Sequence, residues 1–189
     1  MKVWLCIMLL CLAFTGCKKK TEEPKETNPA LEIRIECAED VLTKVWACYD
    51  EEDKFSIIGG DVDNMAMGYP CNFNLIYVEE MESRLGVPES AAEMLADAAS
   101  MADEMDSFKY TAAAYALKDS SDVIEFRTAV EETLLKKSWG EETPEKLVIA
   151  VVDESYVVVA FGQADRMETF VEILEYATDA EVVVNKDWK

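Results

Sequence analysis

The sequence predicts an α+β domain: a small antiparallel sheet built as strand–helix–hairpin–helix, with helices packed on it. Three observations carry this reading. Two strongly apolar runs, Lys146 to Val152 (KLVIAVV) and Tyr156 to Phe161 (YVVVAF), are separated only by Asp153-Glu154-Ser155. Strands joined by so short a turn run antiparallel. The segments on either side, Val123 to Trp139 and Gln163 to Ala177, repeat apolar residues at helical spacing. Half of the 189 residues are hydrophobic, which is enough to build a core that disordered chains lack.

Taken in chain order, the first segment stands apart from the domain. Lys2 precedes an apolar run, Val3 to Ala13, about as long as a secretory h-region and too short to span a bilayer as a finished helix. It ends in Phe14-Thr15-Gly16-Cys17. Small residues before a cysteine, directly after an h-region, resemble the lipobox of bacterial lipoproteins. The resemblance implies cleavage by signal peptidase II after Gly16 and a diacylglyceryl thioether on Cys17. Phe14 stands where the family most often has Leu. An ordinary secretory signal with a chance cysteine is the plain alternative; the polar tract that follows favours the lipoprotein. Residues 1–16 are therefore expected to be a signal peptide, and 17–30 a lipidated cysteine with a disordered tether.

That tether, Lys18 to Pro29 (KKKTEEPKETNP), holds two prolines and no periodic apolar residues. Its twelve residues correspond to an end-to-end distance of about 20 Å. Lys18, Lys19 and Lys20 lie where each adds about 1 kcal/mol of attraction to anionic headgroups. Residues 1–30 hold five lysines and three glutamates, so the net of −21 for the chain becomes −23 for 31–189, with 36 acidic and 13 basic side chains. A domain so charged is repelled by an anionic membrane surface and has no basic footprint for nucleic acid.

Within 31–189, one acidic domain is expected. Ala38, Val41, Leu42, Val45, Trp46 and Tyr49 make an amphipathic helix over 37–49. Phe55 to Phe73, with Gly59, Gly60, Gly68 and Pro70, reads as a long irregular segment, a type that is often functional. A short helix over 75–85 ends at Gly86. Pro88 opens a further helix to Glu104, whose Met94, Ala98, Met101 and Met105 form a flexible apolar stripe. Residues 107–118 alternate as a strand. Asp119-Ser120-Ser121-Asp122 is an N-cap cluster for the helix carrying Phe126, Val130 and Leu134. Lys136 and Lys137 suit its negative end. The hairpin strands are apolar on both sides, which implies central positions or a covered second face. The helix over 163–177 turns Met167, Phe170 and Leu174 inward and an acidic stripe outward, and Val182 to Val184 reads as a short last strand.

The chemistry that the sequence excludes is clearer than the chemistry it offers. With no histidine, every His-dependent zinc site and every Ser-His or Cys-His pair is gone. There is no glycine-rich phosphate loop, dinucleotide fingerprint or nucleophile elbow, so no enzymatic activity and no organic cofactor are expected. Asp61-Val62-Asp63-Asn64 begins like a calcium loop, but Met65, Ala66 and Asn72 stand where an EF-hand needs Asp or Asn, Gly and Glu. Two readings remain: an irregular calcium site using Asp61, Asp63 and the 50–53 acids, or a solvated acidic loop. Cys37 and Cys48 share one helix about 16 Å apart, too far for a disulfide. A bridge from Cys71 to one of them, with Cys48 favoured because it closes the irregular segment between, and three reduced, buried thiols are the alternatives. Tyr69, Phe73 and Tyr77, with Trp46, either line a partner surface or anchor the 55–73 segment to the core.

With the lipobox and the segments Phe108 to Lys118, Val123 to Trp139 and Lys146 to Phe161 placed, the chain resembles small uncharacterised lipoproteins of Gram-positive bacteria that carry a compact domain of unknown function. Residues 37–104 fit that pattern less well. The resemblance implies an envelope location and brings no catalytic residues. The expected function is therefore a lipid-anchored, extracytoplasmic, non-enzymatic binding domain, fixed to the membrane through Cys17 and meeting a protein partner. A calcium-binding envelope protein and a solute-binding or hydrolytic one are the alternatives.

Overall fold

The computed structural model describes residues 28–140 and 143–188. The signal peptide, the Gly16–Cys17 cleavage site and the tether through Thr27 lie outside the described residues. Asn28 accepts the N–H of Ala30 through its side chain, and a 3-10 turn at Pro29–Glu32 buries Ala30.

The domain is α+β. Its centre is one antiparallel sheet of β1 (Ile57–Gly60), β2 (Met65–Met67), β3 (Cys71–Asn72), β4 (Leu95–Asp103), β5 (Tyr110–Leu117), β6 (Lys146–Val152), β7 (Tyr156–Gly162) and β8 (Glu181–Asp187). The order across the sheet is β2-β1-β4-β5-β7-β6-β8, with β3 also paired to β4. Among the described residues five α-helices cover it: α1 (Ala38–Ala47), α2 (Val78–Leu85), α3 (Glu89–Ala92), α4 (Val123–Lys136) and α5 (Ala164–Thr178).

Alternation along the strands builds two cores. Val148, Ala150, Val158, Ala160, Tyr110 and Ala112 face α1 and α5. Their neighbours Leu147, Ile149, Val157, Val159, Ala113 and Tyr115 face α2, α3 and α4. The hairpin strands are thus covered on both faces, as their unbroken apolar character requires. The helices therefore pack on both faces of the sheet. The connections explain why. The segment β5–α4–β6 steps over β7, and β7–α5–β8 steps over β6 in the same direction. Because β7 runs opposite to β5, one shared hand of crossover places α4 and α5 on opposite faces.

The hairpin turn at Asp153 and Glu154 has φ of 47° and 59°, a double left-handed turn whose twist matches its strands. Asp119 in the N-cap cluster accepts the N–H of Ser121 at 2.9 Å, but it caps a 3-10 turn at Ser120–Asp122 that leads into α4, whose own N-cap residue Asp122 makes no side-chain capping bond. At α1, Asp40 accepts the N–H groups of Glu36 and Cys37. Asp97 on β4 accepts the N–H of Ala38 at 2.9 Å, an anion at the positive end of the helix.

Two expectations fail in the first half. The helix expected over 88–104 shrinks to the single turn of α3, and Leu95–Asp103 is a central strand between β1 and β5. Its alanines favour a helix in isolation. In the sheet they let α1 approach closely, and burial on both faces overrides propensity. The expected irregular segment at 55–73 instead forms β1, β2 and β3. A Cβ at Gly59 would lie 2.4 Å from the Tyr69 carbonyl oxygen and the Cys71 nitrogen, so this glycine marks a close backbone approach within a strand. Cys37, Cys48 and Cys71 are unpaired in the structure and each is half-buried rather than fully buried.

Candidate interaction site at the β1–β2 end of the sheet

Nine large apolar side chains are exposed among the described residues, and five of them, Val62, Met65, Met67, Tyr69 and Ile76, fall within fifteen residues of sequence. Local chemistry holds this segment in shape. Asp61 is 1% exposed. Its Oδ1 accepts the N–H of Asp63 at 2.9 Å and of Asn64 at 3.1 Å, and its Oδ2 accepts the N–H of Asn74 at 2.7 Å. The carboxylate thus turns the chain between β1 and β2 and ties that turn to the entry of α2. Tyr77 donates its hydroxyl to Asp63. That bond keeps the phenol protonated and, helped by burial and nearby acids, pushes its pKa up to about 12.

Asp61 and Asp63 are therefore brought together, but as backbone and tyrosine acceptors. The 50–53 acids lie after α1, where Glu52 and Asp53 line a hollow with Tyr49, Asp165 and Arg166. Among the described residues no three metal-ligating side chains converge.

The expected aromatic surface divides. Phe73 is fully buried in the core beneath α2, with the Arg84 guanidinium 5.4 Å from its ring. It is not a surface residue, because its backbone joins β4 through the carbonyl of Ala98 and turns the ring inward. Tyr77 is half-buried against the same core. Tyr69 is 70% exposed and stands with Pro70 on one wall of an open groove of about 680 Å³. Trp46 and Phe55 lie across from it, their rings 5.4 Å apart and nearly perpendicular. Arg166 stacks on Phe55 at 4.0 Å and is paired with Asp103 at 2.5 Å, so the groove floor is clamped from behind. Trp46 and Tyr69 thus share one groove; Phe73 and Tyr77 do not line it.

The two edges of the sheet differ. The β8 edge carries Glu181, Lys186 and Asp187, and its pairing with β6 is interrupted at Ile149/Ala150; charges and bulges both discourage pairing with another chain. The β2 edge is Met65-Ala66-Met67, with both methionines exposed and no charge within the strand. Sequence reasoning missed this pair. The signal was present as a Met-x-Met alternation after the Asp61–Asn64 turn. Beyond Ile76 the surface becomes acidic, in a hollow lined by Glu79, Glu80, Glu82 and Glu89. No family model matches the sequence, and no curated protein or solved structure matches it either.

Proposed function

We propose that this chain is a lipid-anchored, extracytoplasmic, non-enzymatic binding domain of the cell envelope. It takes an extended, apolar and basic segment of a protein partner along β2. The observation that supports this reading best is the unguarded β2 edge, flanked by Met65, Met67 and Tyr69 beside an aromatic groove. An added strand would take its main-chain hydrogen bonds from β2 and its side-chain contacts from the methionines, which adapt to irregular partners. The domain's net charge of −23 and the acids beyond Ile76 favour basic flanks on that partner. The anchor rests on Phe14-Thr15-Gly16-Cys17, and no helix among the described residues is long and apolar enough to cross a membrane.

Two experiments test the two halves. A photo-crosslinking side chain at Met67 should capture a discrete partner in intact cell envelopes, while the same group at Glu181 on the guarded edge should not. Equal capture at both edges, or none at Met67, would overturn the binding surface. Cys17→Ala should abolish labelling by a fatty-acid probe, and retained labelling would overturn the anchor.

A further inference from the structure

A second cavity lies on the α2/α4 side of the sheet, between the C-terminal ends of those helices and the start of β5. It holds about 130 Å³, the space of roughly four water molecules. One side is aromatic: the Trp139 ring lies 5.8 Å from Phe108 and 5.2 Å from Phe161. The other side carries Lys137 and Arg84. Acids outnumber bases 36 to 13 in 31–189, yet among the described residues no Asp or Glu lines this cavity.

Two residues that line it carry underused donors. Lys137 is half-buried and has no carboxylate partner among the described residues. Its Nζ donates to the carbonyl of Ser83 and sits 4.1 Å from the centre of the Trp139 ring. Capping α2 through Ser83 occupies one of its three ammonium protons. The indole N–H of Trp139 is buried with no acceptor among the described residues, a state that native structures rarely leave unexplained. Arg84, by contrast, is engaged by Glu80 and by the carbonyl of Gly60.

We propose that this cavity binds a short-chain carboxylate, its oxygens taken by Lys137 Nζ and Trp139 Nε1–H and its alkyl end seated against Phe108 and Phe161. The size admits two to four carbons by the same volume scale. An apolar wall rewards an alkyl tail and gives nothing to phosphate or chloride. Burial lowers the Lys137 pKa, and a bound anion would reverse that shift. The cavity and the β2 edge share no lining residue, so either assignment can fail without the other.

The test titrates sodium propionate into the full chain in detergent solution at constant ionic strength. It is read by calorimetry and by the indole N–H resonance that Trp139→Phe removes. That resonance should move saturably below roughly 50 mM, well above a millimolar dissociation constant. Lys137→Met should weaken binding about tenfold by removing the charge-assisted bond, and Trp139→Phe should weaken it severalfold while the circular dichroism is unchanged. If Lys137→Met fails to fold, the wild-type indole shift and Trp139→Phe decide alone. An unsaturated indole, an equal response to chloride or phosphate, or undiminished binding in a folded Lys137→Met would overturn the assignment.

Discussion

Asp61→Ala is expected to destabilise the domain by about 3 kcal/mol without any metal being involved. The carboxylate is 1% exposed and accepts three backbone N–H groups, from Asp63, Asn64 and Asn74. Hydrogen bonds to a charged group contribute about 1.5–3 kcal/mol each. Two effects reduce the total. The three donor residues are themselves exposed, so water can satisfy their amides once the side chain is gone. Removing a buried carboxylate also relieves its desolvation. What remains is about 3 kcal/mol, close to the loss of two full bonds. Asp61→Asn keeps one oxygen for the Asp63 and Asn64 amides but turns an NH₂ toward Asn74, and should lose about half as much. Urea unfolding followed by circular dichroism measures both, with and without about 5 mM calcium. A calcium-independent loss in the order Ala greater than Asn supports the backbone-acceptor role. A loss below about 1 kcal/mol for Asp61→Ala would refute the reasoning. So would calcium stabilisation of the native chain that Asp61→Ala abolishes, because ligand binding raises stability only where a site exists.

Three further expectations follow from the packing. Gly86 sits at φ 74°, and a Cβ there would lie 2.3 Å from the buried Leu134 side chain, so Gly86→Ala should cost about 2–4 kcal/mol in denaturant unfolding. Burial alone would raise the Asp103 pKa, but Arg166 and the amides of Met105 and Asp106 outweigh it and hold the carboxyl below its ordinary 3.8. Its contribution is therefore fully present above the unfolded-state value and is lost as pH falls through the lower folded one; Asp103→Asn should flatten the acid limb of a stability–pH curve measured below about pH 4. Burial pushes the thiols of Cys37, Cys48 and Cys71 up, so alkylation at neutral pH should be slow when folded, and mass spectrometry of the unreduced, denatured chain should find all three labelled.

The second half of the fold was legible because its signals agree with one another. Around β6 and β7, pattern, propensity and turn chemistry all name the same structure, and β8 differs only in running from Glu181 to Asp187 rather than over three residues. α4 stops at Lys136, short of the expected Trp139, because that ring leaves the helix to pack against Phe161 and Trp188. The first half misleads because its signals conflict. Leu95–Asp103 is rich in helix formers, and only the neighbours on both sides make it a strand. Asp61 could be singled out from its spacing to Asp63, but its role lies in an amide thirteen residues away. Tyr69 and Phe73 look alike as letters. One carries the groove wall and the other fills the core, a difference set by pairing with β4 that no local pattern records.

The two crossovers of one hand have a last consequence. With a helix layer on each side, the sheet has become the middle of a closed slab, and no broad surface of it remains to be evolved for recognition. From the sheet itself, new specificity can be acquired only at its perimeter: along a strand margin, or in the seams where helices end. Both places assigned a role here, the Met65–Met67 margin and the Lys137–Trp139 seam, are of that kind. Insertions at such positions would leave both cores untouched, so the domain can change what it meets without changing how it folds.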